Sequence, residues 1–411
     1  MQLVRGTKDL FGEDIEKYNH IVTIAREIAL LYNFSEIMTP IFEFSEVFEK
    51  NLGDMSDIVL KEIYKFKDRS DNYLSLRPEF TAGVVRALLG HPELCDRLPI
   101  KLFSQGPVFR YDRPQKGRQR QFNQVNFECF GIRNYMGDVD VILLCDQFLR
   151  SLGLDHIILN INSLGSEQSR KSFEDSLVKY FGKYKNDLSG DSRVRLENNV
   201  LRILDSKDEK DKKLLEDAPK ISSYYTVGDK IFFSSILEKL SLMSVEYIVN
   251  ESLVRGLDYY TSTVFEFVTN HIGAQSAVMG GGRYDKLVNQ IGGRDIPAVG
   301  CAAGIERLML LLEGRQFGGR ELISIVPISD GELDYCIRLA ENLRDKNITC
   351  ELNSCGDLRK KMNIADRNDS RYTIIIGSDE LKSNLLTVRD MSTGTEEKLS
   401  VVDLLERFLR G

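Results

Sequence analysis

The densest run of chemistry in the chain is Arg110-Tyr111-Asp112-Arg113-Pro114-Gln115-Lys116-Gly117-Arg118-Gln119-Arg120-Gln121, where five basic groups and one acid leave a local charge of +4. Guanidinium groups on a Pro/Gly loop between two strands can grip a polyphosphate by bidentate pairing, and Phe122, just beyond, can stack on a purine. A solvated basic hairpin fits the bare segment equally well. Val254-Arg255-Gly256-Leu257-Asp258-Tyr259-Tyr260 opens a strand-like run, and an Arg-Gly pair there can bring a cation and close backbone to a ligand. On such a strand Tyr259 and Tyr260 alternate, so only one of them faces a given site. Met279-Gly280-Gly281-Gly282-Arg283-Tyr284-Asp285 places three glycines in a strand, which suits a flat ligand lying on the backbone or a bulge. From Ala298 to Ala303 small residues lead into a helix whose first turn carries Arg307, free to reach a phosphate or to pair with an ordinary surface Glu. Glu79 and Thr81, two apart in an extended segment, share a face and suit an ammonium group. Gln124 and Glu128, four apart on a strand, also share one, either a polar site or the solvent face of an edge strand.

Other chemistries lack their residues. The four histidines, His20, His91, His156 and His271, lie far apart without metal-ligand spacings, and no GxxxxGK[ST] loop occurs. No metal site held by protein side chains alone is expected. The seven cysteines contain no CxxC, which reads as free thiols in a reducing cytosol, not a disulfide framework. Charged residues within 1–20 argue against a signal peptide, and no apolar stretch approaches a membrane span, so a cytoplasmic protein without a membrane partner is expected. The net charge of −7 over 411 residues argues against indiscriminate polyanion binding. Its distribution is less uniform, since 110–121 carry +4 and 359–371 carry +3, and local basic patches still permit a specific nucleic-acid partner.

The elements that must position these groups follow from periodicity and turn signals. Ile15, Tyr18, Val22, Ala25, Ala29 and Tyr32 predict an amphipathic helix over 13–33, followed by an extended stretch through 36–43. A hairpin is expected at 61–67 and 73–76, a helix at 81–90, and antiparallel strands at 101–110 and 121–130 around the basic loop. A helix over 137–152 and a strand over 156–162 come next. Residues 166–250, with 15 basic and 15 acidic side chains, read as a helical insertion whose charged run 205–213 is a solvated loop or helix face. Strands at 253–268, 274–282 and 297–302 and helices at 284–291 and 304–313 complete the larger part. A linker at 313–320 leads into an alternating α/β unit: strands at 322–328, 348–352 and 372–376, a hairpin near 384–397, and helices at 331–346, 356–369 and 400–409.

Taken in order, these segments resemble the bacterial-type histidyl-tRNA synthetases, class II aminoacyl-tRNA synthetases, over essentially the whole chain from Val4-Arg5-Gly6-Thr7-Lys8-Asp9 onward. Residues 13–33 with Thr39-Pro40-Ile41 are similar to motif 1, a dimer-forming element, 109–131 to motif 2, and 298–312 to motif 3. Arg255–Tyr260 and Gly281–Asp285 resemble the two histidine signatures. The resemblance implies an α+β catalytic domain at 1–320, an antiparallel sheet with flanking helices interrupted by the insertion at about 166–250, and a C-terminal α/β anticodon-binding domain at 321–411. It implies a homodimer that uses ATP, substrate-associated Mg²⁺ and L-histidine to charge the histidine tRNA through histidyl-adenylate. Arg110 and Arg255 would act on the α-phosphate as catalytic groups from opposite sides and lie beside the histidine. Arg118 and Arg307 would hold the β/γ end of ATP and Phe122 its adenine. Glu79, Thr81 and Gln124 would bind the ammonium and nearby polar atoms; Glu128, Tyr259, Tyr260 and Tyr284 would surround the histidine side chain. Gln115 and Lys116 would meet the tRNA acceptor end. Phe80 and Lys286 depart from the family, which more often has Gly at both places. The rival reading is a non-catalytic, synthetase-like regulatory subunit of ATP phosphoribosyltransferase; its retained Arg255 and roughly 90 residues beyond 320 weigh against it.

Overall fold

The computed structural model describes residues 2–49, 62–272, 277–315, 317 and 321–409, which fall into two compact units, Met1–Phe317 and Gly318–Gly411. The strands of the first unit are β1 (Ser35–Glu36), β2 (Phe42–Phe44), β3 (Lys65–Lys67), β4 (Tyr73–Leu76), β5 (Ile100–Phe109), β6 (Gln121–Phe130), β7 (Ile158–Ser163), β8 (Tyr247–Val249), β9 (Thr263–Val268), β10 (Ala277–Arg283) and β11 (Ala298–Gly304). Eight of them form one sheet in the order β1-β5-β6-β11-β10-β9-β7-β8. Its middle is antiparallel, as expected, but β1 joins β5 and β8 joins β7 in parallel at the two edges. β2, β4 and β3 make a small separate sheet.

One face of the large sheet is apolar. Val125, Phe127 and Cys129 of β6 point into a core shared with the helices Glu13–Leu31, Met136–Ser151 and Ile305–Leu311. The first of these helices carries Glu13, Asp14 and Glu16 in its first turn, where they complement the helix dipole. Its buried stripe is Ile21, Val22, Ala25, Ile28 and Ala29; Ile15, Tyr18 and Tyr32 are only partly covered. The helix stops two residues before the expected end, and Asn33 turns the chain at φ 61°.

Residues 166–250 divide between two surroundings. Helix Val227–Leu242 buries Phe233, Ile236 and Leu240 in the main core, and β8 extends the sheet. Helices Glu167–Lys183 and Gly190–Asn198 instead share a second core with β6 and with Leu253, Val254, Tyr259 and Tyr260. The charged run is not uniformly solvated. Asp211 is fully buried and accepts hydrogen bonds from the hydroxyls of Ser189, Ser192 and Ser206 at 2.5–2.7 Å.

The second unit holds β12 (Ile323–Pro327), β13 (Cys350–Leu352), β14 (Tyr372–Ile376), β15 (Leu386–Asp390) and β16 (Glu396–Leu399) in the order β13-β12-β14-β15-β16. The first three are parallel and the last two form an antiparallel hairpin. A short helix at Ser378–Ser383 was not expected. Of the basic cluster at 359–371, Lys361 is buried and donates to the Pro327 carbonyl at 2.8 Å, so it is not part of an exposed patch. The expected linker at 313–320 and the starts of the strands expected at 61–67 and 274–282 lie partly outside the described residues.

Candidate active site

The other face of the sheet is polar and floors a cavity of about 1020 Å³. β6 is an interior strand, paired to β5 on one side and β11 on the other, so its polar face is no solvent edge. Gln124 and Asn126 point into the cavity, and Glu128, two further along the same strand face, is buried behind its lining, bonded to Thr81 and Tyr284, which do line it. The Glu128 carboxylate accepts from Thr81 Oγ1 at 2.5 Å, from Asn126 Nδ2 at 2.9 Å and from the Tyr284 hydroxyl. Burial pushes its pKa up to about 7 against these three donors. Gly300 sits directly opposite in β11, where any Cβ would strike the same carboxylate.

Glu79 and Thr81 meet at the cavity by a different route from the expected extended strand. Thr81 begins the helix Thr81–Gly90, and Glu79 accepts from the backbone N–H groups of Thr81 at 2.6 Å and Ala82 at 2.8 Å. The carboxylate therefore sits at a helix N-terminus with two backbone partners, while burial raises its pKa. Phe80 is buried beneath Arg77, whose guanidinium lies 4.2 Å from its ring centroid. Arg77 in turn donates to the Pro107 and Thr39 carbonyls. Lys286 reaches Glu167 at 2.5 Å, at the surface.

The expectation for Tyr259 and Tyr260 is corrected. Strand β9 starts only at Thr263, so residues 255–260 form a loop and strand alternation does not apply. Both rings line the cavity, 4.8 Å apart, and Tyr284 packs 5.5 Å from Tyr259. The three glycines of β10 make room for the protein's own atoms, Gly280 for the Arg255 side chain, Gly282 for the Tyr260 ring and the Thr263 carbonyl. A Cβ on Gly280 would stand 2.8 Å from an Arg255 guanidinium nitrogen, and one on Gly282 would stand 2.8 Å from the Tyr260 ring. Gly281 faces the backbone of β11. Arg283 points the other way, fully buried against Asp138 and the carbonyls of Ile132 and Asn134.

Among the described residues six arginines border the same cavity, including the four expected ones, Arg110, Arg118, Arg255 and Arg307. Arg110 donates to the Pro78 carbonyl at 2.9 Å, and its guanidinium lies 5.3 Å from the Phe122 ring centroid. Arg118 pairs with Asp112 at 3.0 Å. Arg307 donates to the carbonyls of Gly117 at 3.1 Å and Ala277 at 2.7 Å, tying the basic loop to β10. Burial, then the like charges of Arg118, Arg110 and Arg255, pull Arg307 down to about 10. Burial is the largest influence on Arg255 and opposes its charge, but Glu266 together with Tyr260 and Tyr259 outweighs it and raises the pKa. Acids such as Glu79, Asp112 and Glu266 share the lining, so these guanidinium groups offer local anion-binding positions rather than a net positive field. Gln124 Oε1, Asn126 Oδ1 and Arg255 Nε are buried with no partner among the described residues, which leaves hydrogen-bonding capacity for a ligand. Gln115 and Lys116 stand exposed at the tip of the basic loop, closed by paired backbone bonds between Gln115 and Arg118.

Asn126, Asp112 and Glu266 are site residues that the sequence reading passed over. The signal for Asn126 was present, because it lies between Gln124 and Glu128 on one strand face. Those for Asp112 and Glu266 were not, since each is defined by the arginine that folding brings to it. Among the described residues no group of three or more His, Cys, Asp or Glu side chains is placed to hold a metal ion, and no helix is long and apolar enough to cross a membrane.

Comparison with known proteins agrees with this geometry. A family model described as histidyl-tRNA synthetase matches residues 6–166 and 193–308, and one described as an anticodon binding domain matches 323–410. The histidine–tRNA ligase of Wolbachia pipientis wMel is 48% identical over 408 residues, covering 99% of each chain. That of Ehrlichia ruminantium (strain Welgevonden) is 46% identical over 407 residues, covering 99% of this chain and 97% of the relative. The crystal structure of apo S. aureus histidyl-tRNA synthetase superposes with a TM-score of 0.83 at 32% identity over the full length of both chains. A Bacillus halodurans protein described as an ATP phosphoribosyltransferase regulatory subunit/histidyl-tRNA synthetase shares the fold, with a TM-score of 0.65 at 23% identity over 92% of this chain and 98% of its own. By its family-model match and by near-half identity to ligases along its whole length, the chain belongs to the histidyl-tRNA synthetase family.

Proposed function

We propose that the chain attaches L-histidine to its tRNA in two steps in this cavity, as an ATP-dependent ligase. A carboxylate oxygen of histidine attacks the α-phosphorus of ATP and pyrophosphate leaves with its associated Mg²⁺. A hydroxyl of the 3′-terminal adenosine then attacks the carbonyl of the adenylate and AMP departs. The first nucleophile is already ionised, so the site has to supply position and positive charge rather than a base. Arg110 and Arg255 are assigned to the α-phosphate, Arg118 and Arg307 to the β/γ end, and Phe122 to adenine. Glu79, Thr81 and Gln124 take the ammonium end. Glu128, with Tyr260 and Tyr284, reads the imidazole, and Tyr259 packs beside it. An imidazole offers one donor and one acceptor, and buried groups left unpaired by any other side chain enforce selection. Gln115 and Lys116 are assigned to the acceptor end of the tRNA.

The observation that supports this reading most is the meeting of Arg110, Arg118, Arg255 and Arg307 at one cavity, with the buried Glu128 carboxyl bonded to Thr81 and Tyr284 of its lining. Identity of 48% and 46% to ligases, against 23% to the protein described as a regulatory subunit/synthetase, favours the enzyme over the binding protein. ATP–pyrophosphate exchange that depends on histidine, together with charging of total tRNA by radiolabelled histidine but by no other amino acid, is the expected result. Absence of exchange would overturn the reading. A homodimer is also proposed, supported by exposed apolar side chains on and around the motif 1 segment, Leu30, Leu31, Met38, Ile41, Phe42 and Phe44; a monomer in sedimentation equilibrium would refute it.

A further inference from the structure

The loop at 255–260 carries three of the groups assigned to substrate, yet it lies outside the sheet ladder that holds the rest of the floor. Side chains of the helical insertion hold it instead. Arg170 Nη1 donates to the Tyr260 carbonyl at 2.9 Å. Asn199 Nδ2 donates to Asp258 Oδ1 at 3.0 Å, and Arg202 Nη1 reaches the Arg255 carbonyl at 3.3 Å. Beneath these bonds Phe173, Leu177 and Leu201 of the insertion share one buried cluster with Leu253, Tyr259 and Tyr260. The insertion also forms part of the cavity wall through Arg195, Arg202, Asp205 and Lys207.

We propose that the insertion is a working part of the amino-acid-activating site, with Arg170, Asn199 and Arg202 as positioning residues that set the loop reading histidine before any tRNA is bound. This rests on the assignment of 255–260 to histidine and the α-phosphate. Burial of a loop that must present two tyrosines and one arginine on one side demands an external frame, because a loop without ladder bonds has many backbone states to lose. The three donors supply that frame at its first, fourth and last residues. A module that only gripped tRNA would have no reason to bond the carbonyls of residues 255 and 260.

The test is histidine-dependent pyrophosphate exchange by the full chain without tRNA, comparing Asn199→Ala, Asp258→Ala, the double variant, Arg170→Met and Arg170→Lys. Each single truncation should raise the histidine KM about 3- to 10-fold, the size of one or two net hydrogen bonds, and leave the ATP KM within about twofold. The Asn199/Asp258 double variant should be no worse than its poorer single, since both remove one interaction, and Arg170→Lys should recover part of the loss. Should Arg170→Met fail to fold, the Asn199/Asp258 cycle decides alone. An unchanged histidine KM in the Asn199 and Asp258 variants, with a raised tRNA KM in charging, would overturn the proposal. Glu128→Gln in parallel separates the failures: if it too leaves the histidine KM unchanged, the site assignment is what fails, and if it alone raises it, the framing role fails.

Discussion

Replacing Glu128 by Gln removes a buried carboxyl beside the cavity, one whose pKa burial pushes up to about 7. Three donors, Thr81 Oγ1, Asn126 Nδ2 and the Tyr284 hydroxyl, converge on it and favour the carboxylate, and burial still holds its pKa at about 7. The ionised form is the stronger acceptor for a hydrogen bond from the N–H of the substrate imidazole. With that pKa, the ionised fraction falls roughly tenfold from pH 8 to pH 6. Free histidine titrates near 6.5 as well, and that contribution is common to both enzymes. The ratio of kcat/KM for histidine, wild type over variant, should therefore shrink by up to about tenfold across that interval, while the KM for ATP stays close in the two. Pyrophosphate exchange at a series of pH values measures it. A ratio independent of pH, or an unchanged histidine KM, would refute the role. The same carboxyl has a cost in the unliganded fold. Its pKa is raised from 4.5 to about 7, so its contribution to stability is fully present below about pH 4.5 and is lost as pH rises through 7. The loss amounts to roughly 3 kcal/mol. Glu128→Gln should thus resist urea better than wild type at pH 8, and the advantage should fade toward pH 4.5.

Other substitutions probe the frame around that cavity. Arg255→Ala should lower the single-turnover rate of adenylate formation at least tenfold with little change in the histidine KM, because its contact strengthens as charge moves in the transition state; an unchanged rate removes it from the chemistry. Gly280→Ala should give the same signature in a folded protein, since its new methyl meets the flexible end of Arg255 rather than backbone, and wild-type kinetics would show that the close packing is inconsequential. Asp138→Ala should destabilise the first unit by up to about 3–5 kcal/mol, because it leaves the buried Arg283 with the half-buried Asp285 as its remaining carboxylate partner; a urea midpoint within error of wild type would contradict that.

Most strand positions, and the gathering of most candidate residues at one cavity, can be read from the sequence, because a period of two puts Gln124 and Glu128 on one face whatever lies around them. What that face meets is decided elsewhere. β6 is interior only because β11, more than 160 residues later, pairs along its length. An edge strand with the same sequence would have put Glu128 in water, with an ordinary pKa. Tyr259 and Tyr260 show the opposite failure. Their local sequence is that of a strand, and strand geometry would separate them, but the insertion claims the loop and turns both inward. The charged run at 205–213 looks solvated by composition, yet Asp211 is buried because Ser189, Ser192 and Ser206 supply its hydrogen bonds. The glycines of β10 are the most instructive case. A strand of glycine suggests something flat on the backbone, and the flat groups are the guanidinium of Arg255 and the ring of Tyr260. The second histidine signature is therefore partly the mould into which the first is packed. A side chain at 280 would displace the Arg255 guanidinium, and one at 282 would meet both the Tyr260 ring and the Thr263 carbonyl, so neither position is independent of the loop that carries Arg255 and Tyr260.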